Sequence, residues 1–289
     1  MAYPISIITV CYNEPNLKAT CESVVAQTGQ NFEWVVIDGG SDGKTQRIWQ
    51  EYRHRINKFV SEKDSGIYNA MNKGIRLATG KYLLFLNAGD AFEDAEVINN
   101  VIKMKLDRDI VYGDVRPVGR GDGKRVQTFP DFIDRSYWIR YTICHNATFI
   151  KKSLFDEFGL YDETLKIVAD GKKWLEFFLQ RKCSYKHIPV TVTRFDENGI
   201  STDSKRRWLL MKEREIILKD YFSVKEIRRE ENRVKYNNVW ERLFSVKNDW
   251  NKRTKVITVL GLKFRFKRRF SHYDSDRCWA PRKTDIGLL

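Results

Sequence analysis

Five acidic side chains stand where an enzyme would use them. Glu14, Asp38, Asp64 and Asp90 each follow a short apolar run and sit among glycine, serine or asparagine, and Asp170 precedes a later segment of helical character. A carboxylate in such a turn accepts hydrogen bonds from N–H and O–H donors, holds a divalent cation, or takes a proton from an attacking hydroxyl. Other chemistries lack their residues. No Gly-X-Gly-X-X-Gly follows the first apolar run and no Gly-X4-Gly-Lys-Ser/Thr occurs, so the glycine cradles of dinucleotide sites and P-loops are missing. There is no Gly-X-Ser-X-Gly, and four scattered histidines form no metalloprotease helix. The cysteines, Cys11, Cys21, Cys144, Cys183 and Cys278, are odd in number and free of Cys-X-X-Cys spacing, which argues against disulfides and structural zinc and for a reducing cytoplasm.

A repeating unit spaces these acids. Ile5 to Cys11 is a β-branched run ending at Tyr12-Asn13-Glu14-Pro15, and the proline suits the first position of a helix reaching about Gln27. Trp34 to Ile37 is a short strand that runs into Asp38-Gly-Gly-Ser-Asp-Gly43, with a helix expected from Thr45 to His54. A strand near Phe59-Val60 leads through Asp64-Ser-Gly66 into a helix over Ile67 to Ala78, and Tyr82 to Leu86 ends in Asn87-Ala-Gly-Asp90. Such alternation predicts a right-handed parallel sheet with helices on both faces, whose ligands bind beyond the carboxyl ends of the strands. The acids of four separate loops then meet at one edge. Later elements are a strand at Asp109 to Val115, hairpin material at Gly119 to Gly123, and a helix near Asp134 to Arg140. A strand at Ala147 to Ile150, a helix over Gly171 to Arg181 and a strand over Ser184 to Val192 follow. The last is a helix from Ser204 to Phe222 with Trp208, Met211, Ile217, Leu218 and Phe222 available for packing.

The 289 residues are 42% apolar and 31% charged, which excludes disordered and membrane-spanning classes and leaves an ample core. The start lacks a basic segment followed by a long apolar core, so no export signal is expected. Net charge is +14, and it is lopsided. Residues 205–289 hold 24 Lys and Arg against 11 Asp and Glu, whereas the preceding 204 residues hold 28 against 27.

Several motifs, in order, resemble the inverting family 2 glycosyltransferases of the GT-A fold, notably those of surface-polysaccharide assembly. Ile7-Ile-Thr-Val-Cys-Tyr-Asn-Glu14 resembles the opening strand and loop, Val36-Ile-Asp-Gly-Gly-Ser-Asp-Gly43 the loop whose acid meets the nucleotide base, and Glu62-Lys-Asp-Ser-Gly-Ile-Tyr-Asn-Ala-Met-Asn-Lys-Gly74 the segment beside the donor. Leu84-Phe-Leu-Asn-Ala-Gly-Asp90 falls where the family carries an Asp-X-Asp metal motif, with Asn87 in place of its first aspartate. Cys144-His145-Asn146, Ile167-Val-Ala-Asp170 and Asn198-Gly-Ile-Ser201 are similar to its acceptor-side segments.

The resemblance implies an α/β, Rossmann-like nucleotide-sugar-binding domain over 1–204, with a donor half to about 115 and an acceptor half over 116–204. A mostly helical basic extension over 205–289 would follow, ending in a membrane-surface segment. Thr9, Tyr12, Asn13, Glu14, Asp38, Asp64, Asn69, Asn72, Asn87 and Ala88 would bind a nucleotide diphosphate, UDP first among them. Asp90 would hold Mn2+ or Mg2+ against the leaving diphosphate, and Asp170 would be the general base. His145, Trp174 and Ser201 would serve the acceptor or the diphosphate. Each has a plainer use. Asp38 suits an Asx turn, Asp64, Asp90 and Asp170 suit helix caps, Asn69 and Asn72 suit a polar helix face, and Trp174 suits the core.

In the tail, Trp240, Phe244, Trp250 and Phe270 interleave with basic residues, and Leu262-Lys-Phe-Arg-Phe-Lys-Arg-Arg269 alternates apolar with basic. Anionic lipid attracts such a surface by about 1 kcal/mol per basic residue. The expectation is a peripheral enzyme on the cytoplasmic membrane face, with a polyprenyl-diphosphate-linked saccharide as acceptor and no nucleic-acid partner. The rivals are an inactive carbohydrate-binding or assembly subunit, favoured by Asn87 alone, and a nucleotidyltransferase, for which the first turn lacks a glycine-rich basic loop.

Overall fold

The computed structural model describes residues 3–119, 123, 125–249, 254–259 and 262–267. β1 (Ile5–Cys11) and β2 (Glu33–Asp38) are buried along their whole length, as continuous β-branched runs must be when both faces of a sheet are covered. Glu33 is the costly member, and it is satisfied by Ser6 Oγ at 2.5 Å, the Thr79 amide at 2.7 Å and Lys58 Nζ at 3.0 Å. β3 (Lys58–Ser61) and β4 (Tyr82–Phe85) join them in the order β3-β2-β1-β4, all parallel. The connecting helices are α1 (Leu17–Val25), α2 (Gly43–Tyr52) and α3 (Ile67–Leu77). This is the predicted repeating unit.

Beyond β4, past the alternating units from which parallel pairing was predicted, the sheet becomes mixed. β5 (Ala91–Phe92), β6 (Ile110–Val118), β7 (Thr148–Lys151) and β8 (Tyr185–Asp196) extend it in the order β4-β7-β6-β8-β5. β7 lies antiparallel to both β4 and β6, whereas β6 and β8 are parallel. Apolar patterning places a strand in the core without stating which end it enters from. A bulge at Gly113 lets β6 press on β8, because a side chain there would meet the Val190 carbonyl at 2.4 Å.

The remaining helices of this unit are short: α4 (Val97–Lys103), α5 (Tyr137–Arg140), α6 (Ser153–Phe158) and α7 (Ala169–Leu175), the last widening into a π-helical turn over Glu176–Gln180. α8 (Arg207–Lys219) buries Ile217 and Leu218, with Phe222 just beyond it, but Trp208 and Met211 stay 66% and 58% exposed instead of packing. The chain divides at Ile227 into two compact units. α9 (Val224–Leu243) crosses that point. The extension is thus helical as far as Leu243, then becomes an antiparallel meander of β9 (Phe244–Asp249), β10 (Thr254–Val259) and β11 (Leu262–Lys267), which the helical expectation did not include. The alternation in Leu262-Lys-Phe-Arg-Phe-Lys267 is the period of that last strand. Trp250, Arg268, Arg269, Phe270, Cys278 and most of the expected hairpin at 119–123 lie outside the described residues. Among those described, no helix is long and apolar enough to cross a membrane.

Candidate active site

At the carboxyl edge of the parallel strands, the β1 and β2 loops are tied together. Asn13, in the left-handed region with φ of 51°, donates its amide to Ser41 Oγ at 2.9 Å and accepts from the Asp42 amide at 2.7 Å. Asp42 in turn caps α2. Gly39 is what brings the next loop in. A side chain there would strike Asp64 Oδ2 at 2.4 Å and approach the Tyr12 ring at 3.4 Å, so Tyr12, Gly39 and Asp64 converge on one spot. Tyr12 is 67% exposed beside it. Asp64 Oδ1 accepts from the Gly66 amide at 3.0 Å, which shapes the turn into α3.

Two expected donor contacts do not reach this surface. Asp38 is fully buried and accepts from the Ser41 amide, Gln46, Ser61 and Trp49, at 3.0, 2.7, 2.6 and 3.4 Å. Burial alone would raise its carboxyl, but those donors hold it below its ordinary value. It braces the β2 loop. Thr9 is equally buried, and its hydroxyl accepts the Trp34 indole N–H at 3.0 Å. Asn69 and Asn72 share an anchor, and Asn69, half-buried, also lines a cavity. Both donate to Glu163 at 2.8 Å, and Asn72, 1% exposed, also exchanges bonds with the Tyr161 backbone. Glu163, unremarked in the sequence, is their anchor.

A second group lies at the end of β4. His145, on a 3-10 turn before β7, contacts Asp170 Oδ2 through Nδ1 at 3.3 Å and Asn87 through Nε2 at 3.0 Å. Tyr68 of α3 completes it, donating to the Ile167 carbonyl at 2.6 Å with its oxygen 3.1 Å from Asp170 Oδ1. Residues from three distant segments therefore meet around one carboxylate. Burial opposes a charge on His145, but the Asp170 carboxylate beside it raises its pKa above the usual value. Burial likewise opposes the Asp170 anion, and His145, the Gly171 amide and Tyr68 together hold it below the usual range. In the sequence Tyr68 stands out only as part of the Glu62–Gly74 segment, with no role of its own.

Asp90 is placed differently from a metal ligand. Its Oδ2 accepts from Asn146 Nδ2 and its Oδ1 from the Asp196 amide, both at 3.0 Å, and 6% of it is exposed. Burial pushes its pKa up to about 6. Asp196 is itself held by Asn16 at 3.2 Å, so Asp90 knots β8 to the loops after β1 and β4. Among the described residues, no three His, Cys, Asp or Glu side chains are grouped as a cation would require. The residues present do not fit a metal held by Asp90. The acid that does reach the β4 loop is Glu14, whose carboxyl carbon would lie 3.4 Å from a side chain at Gly89 and whose Oε1 accepts from the Asn16 amide at 2.9 Å. Ala88 contributes its amide to the Val10 carbonyl at 3.0 Å.

A cavity of about 300 Å³ opens next to Tyr68, lined also by Asn69, Glu163, Lys166, Arg206 and Trp208. Two acceptor-side expectations miss it. Trp174 is fully buried and packs edge-on against Phe177, so no sugar ring can reach it. Ser201 is exposed in the turn after β8, where its neighbour Ile200, rather than Ser201, lines the cavity.

Residues 6–158 match the model of glycosyl transferase family 2. The chain belongs to that family. A "PGL/p-HBAD biosynthesis glycosyltransferase" of Mycobacterium bovis is 33% identical over 207 residues, 69% of this chain and 79% of the relative. An uncharacterized glycosyltransferase of Rickettsia prowazekii is 29% identical over 66% of this chain and 63% of its own length. Among solved structures, S. aureus TarS residues 1–349 in complex with UDP-GlcNAc superposes with a TM-score of 0.59 at 16% identity, covering 82% of this chain and 72% of that one. The family 2 sheet is thus the GT-A architecture, and the Asp170 and Asp196 contributions lie beyond the matched segment.

Proposed function

We propose that this glycosyltransferase moves a sugar from a nucleotide diphosphate to a hydroxyl of a lipid-linked saccharide, with inversion at the anomeric carbon, in surface-polysaccharide assembly. The observation that carries the reading is the Asp170 carboxylate, bonded to His145 and to Tyr68, the latter lining an open cavity, and linked through His145 to Asn87 at the end of β4. In-line displacement needs a base across from the leaving group, and Asp170 takes the proton of the acceptor hydroxyl from that side. His145 lies between the base and Asn87, where its ring faces a diphosphate seated on the β4 loop. Tyr12, Asn13, Glu14 and Asp64 line the place of the nucleotide, and the complexes of S. aureus TarS with UDP and UDP-GlcNAc favour UDP. The family's divalent cation enters no step here, because Asp90 is spent on the fold.

The acceptor enters through the cavity flanked by Lys166, Arg206 and Trp208. Exposed Lys205, Arg207, Trp208 and Met211 on the same helix end, with the basic tail, suit an anionic membrane on which a lipid-linked acceptor is presented. Asp170→Asn keeps the shape and loses the base. It should lower kcat by about 10² to 10⁴ and leave UDP affinity within threefold, measured as UDP release from a panel of UDP-sugars with a polyprenyl-diphosphate-linked saccharide. Unchanged kcat rejects Asp170 as the base.

A further inference from the structure

We infer that Glu213 is a positioning residue for the Asp170 carboxylate, acting from α8 through the backbone of residues 166–168. The inference rests on the assignment of Asp170 as the general base.

Glu213 is 5% exposed, although it sits on a helix that opens a strongly basic region. Its carboxylate receives three consecutive amides: Oε1 accepts from Lys166 at 2.7 Å, and Oε2 from Ile167 at 2.9 Å and Val168 at 3.2 Å. Those amides lead directly into α7, whose first residues have no side-chain cap of their own. Glu213 thus fixes, from 45 residues away, the backbone that enters α7, just ahead of the helix's own first-turn amides.

The consequence reaches Asp170 in two steps. The residue Ile167 is gripped at both its polar backbone groups, its N–H by Glu213 and its carbonyl by Tyr68. The same Tyr68 oxygen lies against Asp170 Oδ1, three residues along the chain. Arg214, the next residue on α8, donates to the carbonyls of Trp138 and Ile139 at 3.2 and 3.0 Å, so the helix is also fastened to α5. α8 therefore acts as a rigid clasp, and the Asp170 segment takes its place from it. Releasing the three amides frees the segment to move, and a shift of about 1 Å in a reacting group costs on the order of a hundredfold in rate.

Glu213→Gln tests this, because its NH2 must face at least one amide N–H. The readout is the titration of His145, followed by NMR in the full chain, since His145 reports its contact with Asp170 without any substrate. The His145 pKa should fall by at least half a pH unit in Glu213→Gln and further in Asp170→Asn, while UDP affinity by calorimetry stays within threefold. UDP release in the sugar-transfer assay should fall tenfold to a hundredfold in kcat. A His145 titration identical to wild type overturns the proposal, as does loss of UDP binding in proportion to kcat, which would mark a general collapse. Should the glutamine variant not fold, Glu213→Asp, one methylene shorter with the same charge, is measured in the same way, and the same two results would overturn the proposal. If Asp170→Asn keeps wild-type kcat while Glu213→Gln still shifts His145, the clasp stands and the general-base assignment is what fails.

Discussion

Replacing Asp90 with asparagine separates a structural knot from a metal ligand, and the expected size follows from the structure. The carboxyl is buried and its pKa stands at about 6, against about 3.9 in an unfolded chain. A raised acid binds more protons folded than unfolded. Its protonated form is the better tolerated, so stability is lost as pH rises from about 4 through 6, by about 3 kcal/mol in all. Between pH 5 and pH 8 the remaining part is roughly 1.5 kcal/mol. The amide introduced by Asp90→Asn carries no such penalty. Its oxygen accepts from the Asp196 amide, and its NH2 meets Asn146, whose Oδ1 has no partner in the structure and accepts once that amide turns. Urea unfolding from pH 5 to pH 8 should therefore find the variant at least as stable as wild type at pH 8, with its relative advantage smaller by roughly 1 to 1.5 kcal/mol at pH 5. Asp90→Ala, which strands both donors, should lose about 2 to 4 kcal/mol at either pH. His145, also raised, loses its contribution over the same rise in pH, so the comparison is made against wild type rather than on one slope alone. An Asp90→Asn variant destabilised equally at every pH would refute the reasoning.

Two further outcomes follow from the described residues. Without nucleotide, neither Mn2+ nor Mg2+ should bind the protein more tightly than about millimolar by calorimetry, because one carboxylate at Glu14 is too few ligands; micromolar uptake would reveal a site that Asp90 does not explain. Deleting the chain after Leu243 removes the whole meander, whereas a cut at Lys247 would split β9. The shortened protein should keep UDP affinity and bind vesicles containing anionic lipid less than full-length protein, with full-length binding partly released by salt. Equal sedimentation of both forms would remove the membrane role from residues 244–289.

The donor half was legible because its strands are continuous apolar runs and its loops end in glycine and acid. Both signals are local. The mixed half was not, since direction in β7 depends on where the chain returns after residues 119–147, and no pattern within Thr148–Lys151 records it. The same limit explains the site. Asp170 and His145 were visible as residue types, but their contact joins positions 25 apart, and Tyr68 arrives from 102 residues away. Asp38 and Thr9 were misplaced for the opposite reason. Their motifs are strong, but a motif does not say which way a side chain turns, and both turn into the core. Asp196 and Glu163 carry no spacing signal, because their partners, Asp90 and Asn16 for one and Asn69 and Asn72 for the other, lie far away in sequence and no repeat marks them.

Two of the five acids that invited a catalytic reading, Asp38 and Asp90, are spent on architecture, alongside Asp42 and Glu213. Asp38 holds the β2 loop, Asp42 caps α2, Asp90 ties β8 to β4, and Glu213 clasps the approach to α7. Glu213 accepts from three backbone amides and Asp42 from two, while Asp38 and Asp90 each accept from one amide and from side-chain donors; a carboxylate with two oxygens serves more donors than a neutral side chain. Such a design leaves few free charges at the strand ends. Of the remaining strand-end acids, Glu14 and Asp64 lie in the loops after β1 and β3, and Asp170 is paired with His145, whose pKa it raises. The His145 contact that holds Asp170 low also makes it a weaker base. Under the proposed reading, a diphosphate that draws the His145 ring toward Asn87 loosens its bond to Asp170 and frees that carboxylate to accept a proton. On that reading one imidazole links donor binding to activation of the acceptor hydroxyl, with Asn87 on one side of it and Asp170 on the other.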